Sequence, residues 1–409
     1  MRTYQDLFRT REFTPLFLSS ALQVAASTVS GLALGTLVYE ATDSPLLSAL
    51  SMFGPSLAQM VGATTLLSGA DRLPPRATLS GTAAAFAAGT ALLALPGLPL
   101  GAVFAVILVL GLVASLSGGV RWGLLNEILP EDGYLPGRSV FNMMHGIMQI
   151  TGYATGGVLV AVLSPTTTLL LAAALYAAAA LVSFLGLARR APRASGRPSV
   201  SRTWRTNAEL WSSVPRRTVY LGLWVPNGLI VGCESLFVSY APDRAGLLFA
   251  CAAVGMLVGD VTAGRFLPPA ARRRLITPFL LLLAAPYLLF ALRPPLAVAA
   301  ACATLASVGF AASLLQQERL LSLTPHHLTG HALGLDSAGR LALQGVSAAV
   351  AGAVAQLTSP GAAMAVMAGA SVVVTLALAG ARSRWLAGAD PAETAAAEAA
   401  RAEGGQRSG

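Results

Sequence analysis

The chain has 409 residues, of which 55% are hydrophobic and only 11% are charged. Soluble proteins carry roughly 25% charged residues, so this chain has too few of them to cover a water-exposed surface. The composition excludes a soluble enzyme and a disordered scaffold, and it predicts an integral membrane protein. The net charge of +9 comes from arginines that are scattered between apolar segments and form no single basic face. It therefore does not indicate nucleic-acid binding.

Hydropathy predicts twelve membrane spans, because about 20 mostly apolar helical residues cross a bilayer core of about 30 Å. The apolar character extends around each whole helix, unlike that of surface helices in soluble proteins. The first stretch is a span and not a cleaved signal peptide, since no small-residue cleavage site follows it. The predicted spans cover residues 14–39, 45–68, 77–96, 99–125, 139–163, 167–188, 219–241, 245–264, 275–292, 295–316, 332–357 and 361–381.

The placement of the arginines predicts the orientation, because basic residues concentrate in cytoplasmic loops. With the N-terminus inside, the outer turns hold only Arg244 and Arg293, and the inner turns hold most of the others. Both termini are then expected in the cytoplasm.

Two changes in composition divide the chain. We expect an N-terminal six-helix bundle at residues 1–188 and a C-terminal six-helix bundle at 219–386. A polar, basic cytoplasmic linker joins them at 189–218, and residues 387–409 form a disordered cytoplasmic tail.

The two halves also resemble each other. The turn around Asp71, after the second span, recurs around Gly264, after the eighth, and residues 135–138 recur at the same offset as residues 328–331. This predicts a parallel six-plus-six repeat. Transporters built in that way place the substrate near the middle of the membrane, between the halves.

These features resemble the major facilitator superfamily. The family's turn after the second span reads roughly G-x-x-x-D-R-x-G-R-R; residues 67–76 keep Asp71, Arg72 and Arg76 but carry Leu67 and Pro74 in place of both glycines. The resemblance implies an all-α membrane protein with two pseudo-symmetric six-helix bundles. It also implies a cytoplasmic gate at Asp71, Arg72 and Arg76, although an ordinary basic turn is the alternative. Asp260 and Arg265, at the end of the eighth span, are assigned to the same gate.

The opening of the chain, residues 7–45, and residues 234–241 are similar to the bacterial efflux branch that includes macrolide and siderophore exporters. The fifth span has Gly152, Gly156 and Gly157 where exporters of the family often carry a G-P-x-x-G-G run. Glycines at this spacing let helix backbones approach closely, and helix packing is the simpler interpretation. The resemblance implies a monomer in the plasma membrane of a bacterium.

Ionisable residues inside spans are functional candidates, because each costs about 2.5–3.5 kcal/mol on insertion scales. Glu234 has no arginine within a helical turn and is the first candidate for proton coupling; pairing with a distant arginine is the alternative. Asp336 and Arg340 are the second and third candidates for proton coupling. They are four residues apart and share one helix face, which also fits an internal ion pair or a gate. Arg121, in the fourth span, is the fourth proton-coupling candidate.

Polar and aromatic residues within the spans are candidates for lining a substrate cavity. His145 can carry protons, since its unperturbed pKa is about 6.5, or form a hydrogen bond between helices. The full set is Gln23, Ser27, Gln59, Asn142, His145, Gln149, Trp224, Asn227, Phe237 and Gln344.

The sequence thus predicts a secondary transporter that exports small amphipathic compounds, such as a drug, antibiotic or siderophore, in exchange for protons. Uptake of a nutrient and a non-transport membrane sensor are the alternatives. We expect no enzymatic activity, cofactor or metal, because no nucleophile motif, phosphate loop or metal-ligand spacing occurs. His326, His327 and His331 lie in a predicted turn without carboxylates or thiolates. The expected partners are a small-molecule substrate, protons and the lipid bilayer.

Overall fold

The computed structural model describes residues 4–70, 73–130, 133–191, 200–325 and 328–388, and these residues are almost entirely helical. The helices of the first part of the chain are α1 (Phe13–Thr42), α2 (Pro45–Ala70), α3 (Pro75–Leu93), α4 (Leu100–Ile128), α5 (Tyr134–Val162) and α6 (Pro165–Gly186). Those of the second part are α7 (Val214–Tyr240), α8 (Pro242–Phe266), α9 (Pro269–Ala284), α10 (Leu296–Ser322), α11 (Thr329–Leu357) and α12 (Pro360–Gly388). A short helix, Tyr4–Phe8, precedes α1.

Nine helical segments within the described residues are long and apolar enough to cross a membrane. They lie in α1, α4 and α6 to α12; the segment of α9 includes the 3-10 turns Ala285–Leu292 that continue this helix. The remaining helices α2, α3 and α5 lie between them in the chain. These results support a multi-pass membrane protein.

Short turns connect most consecutive helices, so neighbouring helices run in opposite directions. One end of the molecule, which we call the linker end, holds the start of α1 and α7 and the end of α6. The opposite end, the far end, holds the α1–α2, α7–α8 and α11–α12 turns. Contacts across each end agree with this arrangement: Glu12 and Arg190 pair at the linker end, and Ser44 and Gln356 are hydrogen bonded at the far end.

Helices pack mainly within the first six and within the last six. In the first set α1 packs on α5 and α6, α2 on α4, and α3 on α6; in the second, α7 packs on α11 and α12, and α8 on α10. The largest buried apolar cluster belongs mostly to the second set and includes Phe237, Phe249 and Tyr287. Two pairs, α2 with α11 and α5 with α8, make the most extensive contacts between the sets.

The two sets touch closely at the far end. A Cβ added to Gly157 of α5 would lie 2.8 Å from the Cα of Gly246 of α8, and one on Gly352 of α11 would lie 2.6 Å from the Cα of Leu46 of α2. Real Cβ atoms do not approach other atoms so closely, so only glycine allows these backbone contacts. The Ser44 hydroxyl also donates a 3.1 Å hydrogen bond to Oε1 of Gln356.

The same helix pairs separate towards the linker end. A Cβ on Gly146 of α5 would have one neighbour within 4 Å, a side-chain carbon of Leu257 at 3.7 Å. Gly330 and Gly334, on the linker-end part of α11, would have none, and Asp260 of α8 is exposed. A cleft between the two sets of helices therefore opens at the linker end and is closed at the far end.

The segment between the halves contains a helix. Within it, Val200–Ser212 is a helix, which we call the linker helix, and α7 begins at Val214 rather than near residue 219. The linker helix has one apolar face, on which Leu210 is fully buried. Membrane spans are recognised by a continuous run of apolar residues, and a helix with a single apolar face has no such run. The predicted gate residues Asp71 and Arg72, the pair His326 and His327, and residues 389–409 of the predicted tail lie outside the described residues.

Candidate functional site

Glu234 lies deep in the second set of helices, where α7 is interrupted before its last turn, Phe237–Tyr240. The residue is 5% exposed, and the Ser307 hydroxyl of α10 donates a 3.5 Å hydrogen bond to its Oε1. Its charge also acts on the hydroxyl of Tyr287, which follows α9. Within the described part of the chain, no arginine lies within ion-pair distance of this carboxyl. The alternative of an ion pair with a distant arginine is therefore not found there.

Aromatic rings connect the surroundings of Glu234 with the other set of helices. Tyr153 of α5 stacks on Phe249 of α8 with ring centroids 4.7 Å apart, and Phe249 contacts Phe237 edge-on at 5.0 Å. Tyr153 also lies within electrostatic reach of the Glu234 carboxyl. Glu234 is thus sealed from the cleft beside the close contact of α5 with α8. Phe237, predicted to line a cavity, is fully buried in the core.

Asp336 and Arg340 form an ion pair on α11, as their spacing of four residues predicts. Arg340 Nε lies 3.4 Å from Asp336 Oδ2, and the Gln317 side chain of α10 donates a 3.0 Å hydrogen bond to the same oxygen. Asp336 is 1% exposed, and among the described residues its Oδ1 has no hydrogen-bond partner.

Trp224 of α7 packs beside this pair. Its ring lies flat against the backbone of Gly339, and it stacks on Trp211 of the linker helix with centroids 5.4 Å apart. The linker helix therefore supports the indole that adjoins Asp336. A nearby pair, Gln344 of α11 and Asn227 of α7, is joined by a 3.1 Å hydrogen bond from the Gln344 amide.

Arg121 lies in the first set of helices, about two turns before the end of α4. One of its terminal nitrogens donates a hydrogen bond to Oε1 of Gln23 of α1. The Arg121 charge also acts on the ring of His145 in α5. These three residues come from three different helices and form a polar group on the linker-end side of the molecule.

Helix α5 carries two exposed stripes on opposite sides. Successive residues turn by about 100°, which places Asn142, His145 and Gln149 within about 60° of one another. The apolar Met143 and Ile147 are exposed on the opposite side, where a bilayer would lie. Asn142 and His145 are exposed on the polar side, and Gln149 is half-buried.

The glycines of α5 show where the polar stripe points. A Cβ on Gly156 would lie 3.3 Å from the Cα of Val29 in α1, and Gly152 likewise packs against Thr28 of α1. Gly146 and Gly157 face α8. Asn142 and Gln149 lie between these two sides and border the cleft, whereas His145 lies on the side of Gly152 and Gly156, which faces α1. Gly152 and Gly156 thus lie against α1, and Gly157 lies against α8.

The remaining predicted residues are more scattered. The Ser27 hydroxyl donates to the carbonyl of Val24 in its own helix, and Gln59 of α2 is half-buried. The Arg76 guanidinium lies 4.4 Å from the ring centre of Phe184, so it packs on α6. Asp260 and Arg265 are exposed near the linker end of α8.

The sequence reasoning missed an ion pair that ties the start of α1 to the segment after α6. Arg190 binds Glu12 through two nitrogens, at 2.5 Å and 2.9 Å, and the Ala188 N–H donates to the same carboxylate. Burial acts to raise the pKa of Glu12, but these hydrogen bonds and the neighbouring arginine charges outweigh it and lower this pKa. The hydrogen bond to Glu12 raises the pKa of Arg190. No local pattern marks this pair, because the two residues are far apart in sequence.

Among the described residues no group of three or more His, Cys, Asp or Glu side chains is arranged to hold a metal ion.

No protein-family model matches the sequence, and no curated protein matches it either. Solved structures of membrane transporters do match. A POT family transporter in complex with a thioalcohol-conjugated peptide superposes with a TM-score of 0.73 at 11% identity, covering 90% of this chain and 95% of that chain. An inward-facing, unoccupied bacterial homologue of the human lysosomal transporter Spinster superposes with a TM-score of 0.68 at 14% identity, covering 91% of this chain and 96% of that chain.

A variant of the nucleoside transporter NupG gives a TM-score of 0.68 at 16% identity, covering 90% of this chain and 99% of that chain. Such low identities show similarity of fold alone. The chain therefore shares the all-helical fold of these membrane transporters.

Proposed function

We propose that the chain is a secondary transporter that exports small amphipathic compounds in exchange for protons by alternating access. In this proposal α1 to α12 are the membrane spans, and residues 1–188 and 219–386 are the two halves. The linker end faces the cytoplasm of a bacterial cell, as the arginine bias predicts. Support comes from the shared fold, and from a POT family transporter of this fold that was crystallised with 5-aminolevulinic acid, a small molecule.

The buried Glu234 carboxyl is the observation that carries proton coupling. An ionised carboxylate that loses its hydration without gaining a counter-charge is strongly disfavoured, so such a group holds a proton while it stays sealed. It can release the proton once water reaches it. One elementary charge that crosses the membrane supplies about 2.3 kcal/mol per 100 mV, which can drive export against a gradient.

The position of Glu234 suggests how proton exchange is linked to the conformational change. The α5–α8 contact beside it, with Tyr153 stacked on Phe249, belongs to the closed far end. If the cleft closes at the linker end and opens at the far end, this contact must separate. Water then reaches Glu234 from the far side, and the proton can exchange there.

Transport by everted membrane vesicles tests the proposal. Vesicles that contain the wild-type protein are supplied with fluorescent amphipathic anions, cations and neutral compounds, and are energised with and without a protonophore. We expect accumulation of at least one compound that the protonophore abolishes. Accumulation only in vesicles of native orientation would replace export by uptake, and the absence of transport in both orientations would contradict the proposal.

The variant Glu234→Gln removes the exchangeable proton with little change in volume. We expect it to lose accumulation against the gradient. Glu318→Gln is the matched control, because Glu318 is an exposed carboxylate at the linker end that pairs with Arg272 at 3.1 Å. A Glu234→Gln protein that retained full proton-driven accumulation would eliminate Glu234 as the coupling residue.

A further inference from the structure

Arg121 and Arg340 both lie within membrane-spanning helices, but their surroundings differ. Arg340 has the carboxylate of Asp336 at 3.4 Å. The described residues give Arg121 no carboxylate, and Gln23, a neutral amide, accepts its hydrogen bond. An arginine without a counter-charge in such a place costs several kcal/mol, so its presence calls for a ligand.

The Arg121 guanidinium, on a half-buried side chain, has capacity for further hydrogen bonds. It has five N–H donors, and the described residues accept one hydrogen bond from it, at Gln23. Its other two nitrogens have no acceptor among the described residues, so they can bind a further partner. The guanidinium lies near His145, which is exposed on the linker-end part of α5.

The charges around this part of the cleft do not cancel. Asp336 and Arg340 neutralise each other, and Asn227 and Gln344 are uncharged and hydrogen bonded together. Asp260 lies exposed near the linker end of α8, and no described contact joins it to Arg121. Arg121 is therefore an excess positive charge in a site where Gln23 and His145 supply further hydrogen-bonding groups.

From this geometry we infer that Arg121 binds an anionic group of the transported compound, so that the substrates are amphipathic anions such as carboxylates. The inference rests on the proposed function and narrows its substrate class. The planar guanidinium fork matches a carboxylate through two parallel hydrogen bonds, which a lysine ammonium cannot reproduce. Gln23 fixes the orientation of the fork, and the anion supplies the counter-charge that the protein lacks.

Ligand-induced thermal stabilisation of the purified full-length protein tests the inference. The three cysteines are buried or half-buried, so a thiol-reactive fluorophore reports unfolding. The probes are three aryl carboxylates, among them 1-naphthylacetate, each compared with its neutral amide and with an amine of the same ring. We expect the carboxylates to raise the unfolding midpoint more than their amides and amines do.

Variants assign the effect to Arg121. Arg121→Gln should lose the preference for carboxylates, with apparent affinity lower by about tenfold or more, as expected for the loss of a charged hydrogen-bonding partner. Arg121→Lys should keep part of the preference for carboxylates, because it keeps the positive charge. This variant is the control for misfolding of Arg121→Gln. Arg244→Gln, which removes an exposed arginine at the far end, should behave as wild type.

Three results would overturn the inference: no stabilisation by any carboxylate, equal stabilisation by the amides, or a carboxylate preference that survives in Arg121→Gln. The readout is binding in detergent and does not depend on transport. Carboxylate binding without proton-driven transport would overturn only the proposed function. Proton-driven transport of cations and of no anions would overturn only this inference.

Discussion

Charged side chains in the membrane-spanning helices fall into two kinds according to whether a counter-charge lies beside them. Asp336 and Arg340 neutralise each other, whereas Glu234 and Arg121 have no opposite charge among the described residues. Breaking a buried pair costs about 3–5 kcal/mol, so mutual stabilisation is reason enough to retain a paired charge. An unpaired charge has no such compensation and needs a function.

A double-mutant cycle at the pair distinguishes structure from coupling. Asp336→Asn leaves Arg340 without its partner, and Arg340→Gln leaves Asp336 without its own. We expect each single variant to lose about 3–5 kcal/mol of stability. The double variant should regain much of this stability and should also regain proton-driven transport. Thermal unfolding and vesicle transport measure the two effects. A double variant that is stable but inactive would instead assign the pair a role in coupling.

Sequence reasoning at the residue scale succeeded where the relevant contact is local. The spacing of Asp336 and Arg340 fixes their shared helix face, and the pair forms. Hydropathy cannot report which helix faces which, so it did not distinguish Phe237, buried in the core, from the exposed His145. The contact between Arg121 and Gln23 spans 98 positions and has no local signal.

At the scale of the helices, the closed far end depends on backbone contact between α5 and α8. A methyl group on Gly157 would lie 2.8 Å from the Gly246 Cα, and only a backbone shift can relieve this overlap. We expect Gly157→Ala to destabilise the far-end closure by about 1–3 kcal/mol, a typical cost of overpacking.

Gly81→Ala is the control for that substitution, because a Cβ at Gly81 of α3 meets nothing within 4 Å. This change should leave stability unchanged or raise it slightly, since alanine favours helix. The unfolding midpoint of both proteins and their transport rates are the measurements. Equal behaviour of the two variants would show that the α5–α8 contact does not hold the far end closed.

The linker helix shows what hydropathy overlooks at this scale. Its mixture of polar and apolar residues predicts a polar connection between the halves. In the structure, however, Leu210 is fully buried and Trp211 stacks on Trp224. Amphipathic segments dock through a few residues and depend on a partner surface that the local sequence does not reveal.

At the scale of the whole molecule, the all-helical transporter fold could be predicted because a bilayer demands long apolar helices. The repeat also suggested where a substrate site would lie. The conformation, closed at the far end and open at the linker end, could not be predicted. In the proposed alternating-access cycle one sequence supports both states, and small free-energy differences choose between them.

The central claim is that proton binding at Glu234 drives uphill transport. Purified protein in proteoliposomes tests it most directly, by comparing exchange of a transported compound between equal concentrations with its accumulation under an imposed pH gradient. We predict that Glu234→Gln retains exchange at a rate near that of the wild type, because the cleft is intact, and loses accumulation. Gradient-driven accumulation by Glu234→Gln at the wild-type level would contradict the account.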